Sequence, residues 1–274
     1  MRAQQKAAIS SLLASSIGSS CFIDINLTWR KTLSKTLGLL QQIERGKEPS
    51  VKVASSSARS SSNGSHPQPV TGEEVVKLVH SVFRSSSENV PRVVAFSGVD
   101  HGDGCTSICA GAALVLGTQF AGSLCVVDAN LRSPSLHRYF GLENGSGLCE
   151  AIVQPAPIRD FTQSLGSISV LTCGSAPSSP QALLNSQNLY ARIQELRDEF
   201  DYVLIDAPPI GRYSDAITLG GLTDGIVLVL QSNSTRREAA LKVKEGVEAA
   251  NVRLLGAVLN KRTFPIPERL YKRL

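Results

Sequence analysis

Residues 98–107 read Gly98-Val99-Asp100-His101-Gly102-Asp103-Gly104-Cys105-Thr106-Ser107. The apolar run RVVAF (92–96) precedes them, and ICAGAALVLGTQF (108–120) follows with the composition of a buried helix. A glycine-rich turn between strand and helix, ending in Gly-Xaa-Thr, has the form of a phosphate-binding loop. Its glycines let backbone N–H groups face phosphate oxygens, and the helix adds the positive end of its dipole. The position before Thr106 calls for lysine, and the residue there is Cys105. Taken alone, so degenerate a loop is as well explained by a strand-to-helix turn that holds no ligand.

Working outward, strand and helix patterns alternate. Near-continuous apolar runs at 92–97, 123–128, 168–172, 202–206, 225–230 and 254–259 have the composition of parallel strands covered on both faces. Helical patterns fall at 105–120, 180–200, 213–222 and 234–250. Alternation of this kind predicts an α/β fold, a three-layer αβα sandwich on a mainly parallel sheet, with ligands at the carboxyl ends of the strands.

Two further strand ends carry chemistry. In LCVVDANLRSPSLHRYFGL (124–142) an apolar strand delivers Asp128 to the sheet edge, with Arg132 on the loop beyond. In FDYVLIDAPP (200–209) another ends in Asp206. Carboxylates so placed, with the hydroxyl of Thr106, are ligands suited to Mg²⁺. Each aspartate alone could be a helix cap or a structural group. Three such motifs in this order make coincidence improbable, and they predict that Asp128 and Asp206 end adjacent strands and converge near Thr106.

The remainder of the 274 residues divides as follows. Residues 1–28 have no clear period and stay unassigned; residues 29–46 form an amphipathic helix through Leu33, Leu37, Leu40 and Ile43. Residues 47–70 are a serine-rich linker too poor in apolar groups to order itself. The globular domain spans 71–262, with Thr71 or Gly72 capping its first helix, and 263–274 is a tail. AAISSLLASSIGSSC (7–21) imitates a leader peptide, but serine dilutes its core and it is not read as one. A net charge of +5 without a block of basic residues argues against nucleic acid as a partner. The six cysteines show no metal-ligand spacing and are read as free thiols of a reducing compartment.

These motifs resemble the cytoplasmic ATPase domain of the bacterial tyrosine kinases of capsule and exopolysaccharide synthesis. Those kinases lie in the deviant P-loop group that includes the MinD- and ParA-like septum-placement and plasmid-partition ATPases. The likeness covers roughly residues 72–262 and rests on the 124–142 motif with its Arg-Xaa-Pro-Xaa-Leu-His run, on YVLIDAPP with Ser214-Asp215-Ala216 downstream, and on GAVLNK (256–261). LSKTLGLLQQIERGK (33–47) looks like the leading helix of members detached from their membrane partner.

The resemblance implies ATP and Mg²⁺ as cofactors. Gly102, Asp103, Gly104, Cys105, Thr106 and Ser107 would form the phosphate loop, and Asn260 would contact the adenine. Thr106, Asp128 and Asp206 would hold the metal, with Asp128 also the catalytic proton acceptor. It further implies a membrane-embedded chain-length or co-polymerase protein as partner, and a cytoplasmic location with membrane association through that partner.

Departures from the family pattern matter as much. Cys105 replaces the lysine that neutralises the β- and γ-phosphates, and Asn130 stands where a second aspartate is usual. The ring-forming Glu-Xaa-Xaa-Arg-Xaa-Xaa-Arg motif is reduced to Glu74, Lys77 and His80, and the tyrosine-rich tail to ERLYKRL with Tyr271. Loss of a cation where phosphoryl transfer spreads charge costs ~3 kcal/mol of transition-state stabilisation. His101 is a poor replacement, because an imidazole with a reference pKa of ~6.5 is mostly neutral at pH 7. The expectation is a nucleotide-binding protein with impaired catalysis and weak self-association. An active kinase or ATPase is the alternative, and a partition-type ATPase the next.

Overall fold

The computed structural model describes residues 22–26, 72–84, 90–175 and 177–262. The expected helix at 29–46, the linker at 47–70, Cys21 and the tail with Tyr271 lie outside these residues.

Among the described residues, eight strands form one sheet. They are β1 (Phe22–Asn26), β2 (Val93–Gly98), β3 (Leu124–Asp128), β4 (Gln163–Leu165), β5 (Ile168–Leu171), β6 (Tyr202–Asp206), β7 (Gly225–Gln231) and β8 (Leu254–Arg262). Their spatial order is β1-β8-β7-β2-β6-β3-β5-β4, and only the β4–β5 pair is antiparallel. The predicted α/β sandwich is therefore observed, with two strands more than expected. β1 lies in the stretch left unassigned: FIDIN mixes polar with apolar residues and makes no continuous apolar run. β4 has three residues, too few for any period to show.

The central strands alternate their side chains between two cores. Val93 and Ala95 of β2 face one apolar cluster, and Val94 and Phe96 face the other, all four fully buried. That is the pleat of a strand covered on both sides, and it explains why β2 reads as an unbroken apolar run.

Helix α1 (Glu73–Phe83), capped by Gly72, and α2 (Cys105–Gln119) pack on the second cluster. From Ser107 to Leu116 every residue of α2 is buried, so the helix has no polar face. Short helices α3 (Leu136–Phe140) and α4 (Leu148–Val153) follow β3. The predicted 180–200 helix is two, α5 (Pro180–Leu184) and α6 (Gln187–Glu199). Ser186 breaks it by turning its hydroxyl back to accept from the Leu189 N–H at 3.2 Å, the action of an N-cap. α7 (Asp215–Gly221) and α8 (Arg237–Ala249) complete the layers.

Candidate functional site

The loop of residues 99–104 joins β2 to α2 at the carboxyl edge of the sheet. Gly104, the N-cap of α2, has φ +87°, and Gly102 has φ +83°, a region L residues rarely occupy. A Cβ on Gly104 would also stand 2.3 Å from the Asn260 amide. The first turn of α2 carries no acidic residue, which leaves its positive end open to an anion.

β3 and β6 are neighbours, and Asp128 and Asp206 are partners in their register. Both are completely buried. Asp128 accepts from the backbone N–H groups of Ser135 at 3.0 Å, Leu136 at 2.9 Å and Asn130 at 3.2 Å. Asp206 accepts from the Thr106 hydroxyl at 2.7 Å, while its Oδ1 is buried with no hydrogen-bond partner. The expected convergence of Asp128, Asp206 and Thr106 is what the sheet order produces.

Burial raises the Asp128 pKa to about 6, against the pull of its three N–H donors. Asp206 is raised to about 8, first by burial and then by the charge of Asp128. Two buried carboxylates, an orphaned carboxylate oxygen and an adjacent hydroxyl make an all-oxygen, charge-poor site. Such a donor set fits a hard divalent cation such as Mg²⁺.

Cys105 is half-buried at the first position of α2. Burial, and then the nearby Asp206 carboxylate, push its thiol well above the usual range, so it stays neutral. Asp103 is buried, and its carboxylate turns back to the loop to accept from the Asp100 N–H at 2.8 Å. Ser107 is buried and pairs with the Tyr139 hydroxyl.

Asn260 lies at the loop, with its amide engaged there. Nδ2 donates to the Asp103 carbonyl at 2.8 Å, and Oδ1 accepts from the Lys261 N–H at 2.8 Å. His101 meets the Tyr213 hydroxyl at 3.3 Å. Arg132 is held by Asp215 at 2.6 Å and over the Tyr213 ring.

The glycine loop, with His101 and Asn260, lines a cavity of about 390 Å³, and Asp128 and Asp206 lie buried outside its wall. Its wall includes Gly102 to Ser107, Asn130, Ser135, Tyr139 and Asn260, and also Lys261, whose Nζ donates to the Gly102 carbonyl at 2.5 Å. Sequence reasoning missed Lys261, Tyr139 and Ser135. The signal for Lys261 was present in GAVLNK, but nothing local placed that strand end beside the loop.

A mainly parallel sheet with a glycine loop at the head of a buried helix, and acidic strand ends beside it, defines a P-loop ATPase fold of the MinD/ParA-like class. The MinD septum site-determining protein of Pyrococcus horikoshii OT3, solved with Mg-ADP, superposes with TM-score 0.54 at 21% identity, over 66% of this chain and 76% of that one. The chimerical protein CapA2B2 superposes with TM-score 0.72 at 22% identity, over 93% of this chain and 100% of that one. Tyrosine-protein kinase YwqD of Bacillus subtilis (strain 168) is 31% identical over 196 residues, 71% of this chain and 82% of that protein. The chain belongs to the bacterial tyrosine-protein kinase family. No protein-family model matches the sequence. Among the described residues, no helix is long and apolar enough to cross a membrane.

Proposed function

We propose that this protein binds ATP with Mg²⁺ but transfers phosphate poorly. In this reading it regulates, or assembles with, a membrane-embedded chain-length protein of exopolysaccharide or capsule synthesis. The observation that carries the reading is Cys105, a thiol at the first position of α2 where the loop needs a cation.

The loop amides from Gly102 to Ser107 would hold the phosphates, and Thr106, Asp128 and Asp206 would hold the metal. Bound there, Mg²⁺ supplies positive charge to the phosphate oxygens. Asp128, fixed by three backbone donors, is the candidate acceptor for a hydroxyl proton. Without a cation at residue 105, transfer loses ~3 kcal/mol, about a hundredfold in rate.

Titration with a fluorescent ATP analogue, with and without Mg²⁺, tests the reading together with an ATP hydrolysis assay. Saturable, Mg²⁺-enhanced binding with hydrolysis at background is the expected result. Absence of binding, or robust hydrolysis by the wild type, overturns it. An active tyrosine kinase is the second reading, and the observation favouring it is the ammonium of Lys261 in the cavity wall.

A further inference from the structure

We infer that Lys261 supplies, from the end of β8, the positive charge toward a bound nucleotide's β-phosphate that Cys105 cannot. The inference rests on the nucleotide-binding reading above and identifies the residue that sustains it.

Three independent features of Lys261 carry this. Its ammonium contacts the carbonyl of Gly102, inside the glycine loop itself, and its side chain lines the loop's cavity. Among the described residues it forms no ion pair, whereas Arg132 is paired with Asp215 and Arg212 with Asp100 through two bonds of 2.8 and 2.9 Å. The Lys261 ammonium donates to a neutral carbonyl, which a phosphate oxygen outcompetes as an acceptor, and the carboxylate whose charge it feels, Asp103, is turned to the Asp100 N–H.

The backbone of Lys261 is also unusual, with φ +57° on a residue that is not glycine. Side chains of a regular strand alternate between faces, and a left-handed residue breaks that alternation and re-aims the side chain. Here the conformation is held by Asn260, whose carbonyl oxygen accepts the Lys261 N–H while its NH₂ secures the Asp103 carbonyl. One asparagine therefore fixes both the loop and the lysine directed at it. Observed backbone strain of this kind at a site is a pointer to function. A lysine acts as a mobile point charge on a flexible stem, so it can approach phosphate from a strand other than the loop's own.

Isothermal titration of the full chain with AMP, ADP and ATP in Mg²⁺ tests the inference. Lys261→Met and Lys261→Gln should each weaken ADP and ATP at least tenfold and leave AMP within twofold. Lys261→Arg should stay within threefold, and adding Cys105→Lys to Lys261→Met should restore ADP binding. Glutamine retains a donor for the Gly102 carbonyl, so it separates charge from bracing. In the unmutated protein, ADP should also protect Lys261 from acetic anhydride at least fivefold, read by mass spectrometry. ADP binding unchanged in Lys261→Gln, or AMP lost as severely as ADP, overturns the inference alone. A wild type that binds none of the three overturns the site reading and the inference with it.

Discussion

Asp128 and Asp206 face one another as register partners at the ends of adjacent parallel strands, and the Asp206 carboxylate accepts the Thr106 hydroxyl at 2.7 Å. Burial and the charge of Asp128 raise the Asp206 pKa from 3.8 to about 8. Folding therefore favours its protonated form. That contribution is complete below pH 3.8 and is lost as pH rises toward 8, where two buried like charges oppose the fold. Asp206→Asn should raise stability by at least about 1 kcal/mol at pH 8. The gain should shrink steadily toward pH 5, and nucleotide binding should lose its Mg²⁺ enhancement. Denaturant titrations across that range check the first part; a gain that grows at low pH would refute it.

Restoring the loop cation addresses Cys105 directly. Cys105→Lys should tighten ATP–Mg²⁺ at least tenfold, equivalent to ~1.4 kcal/mol. Adding Asn130→Asp should help further only with Mg²⁺ present, because a carboxylate there acts through the metal. The gain from Cys105→Lys should be larger in Lys261→Met than in the wild type, since the two ammonium groups serve one anion. Equal gains in both backgrounds would show that the two sites act independently.

The two loop glycines should respond differently to alanine. Gly102→Ala meets no atom within 4 Å and carries only the strain of φ +83°, about 1 kcal/mol. Gly104→Ala adds a Cβ 2.3 Å from the Asn260 amide, which is tied to the loop and cannot simply retreat. Its cost should reach about 2–3 kcal/mol, with nucleotide affinity falling as Asn260 and Lys261 are displaced. Urea unfolding of the two variants side by side reads the difference.

Assembly should be weak. On α1, where the family's ring-forming arginines would stand, His80 is engaged within its own chain. It contacts Gln119 at 3.1 Å and packs edge-on against Phe120. Lys77 carries charge without the two-pronged geometry of arginine. Light scattering at micromolar concentration should give a monomer or weak dimer without nucleotide, and a stable octamer would contradict this.

The sequence by itself determined the layers and the acidic strand ends. Runs such as VVAF and YVLID must be buried on both faces, and their terminal aspartates must emerge at one edge of a parallel sheet. It also located the loop and the missing lysine, because those depend on residues adjacent in the chain. Local pattern missed β1 and β4, a mixed five-residue strand and a three-residue one. It also missed the break at Ser186, where a single side chain's hydrogen bond outweighs helical periodicity. Only the tertiary structure decided what completes the site. Lys261 reaches Gly102 across 159 residues, and Asn260 reaches Asp103 across 157. Those contacts follow from β8 lying one strand beyond β7, which pairs with β2, and from a left-handed residue at the end of β8. Strand order and a single backbone reversal are products of the whole sheet's packing, and no local period encodes them.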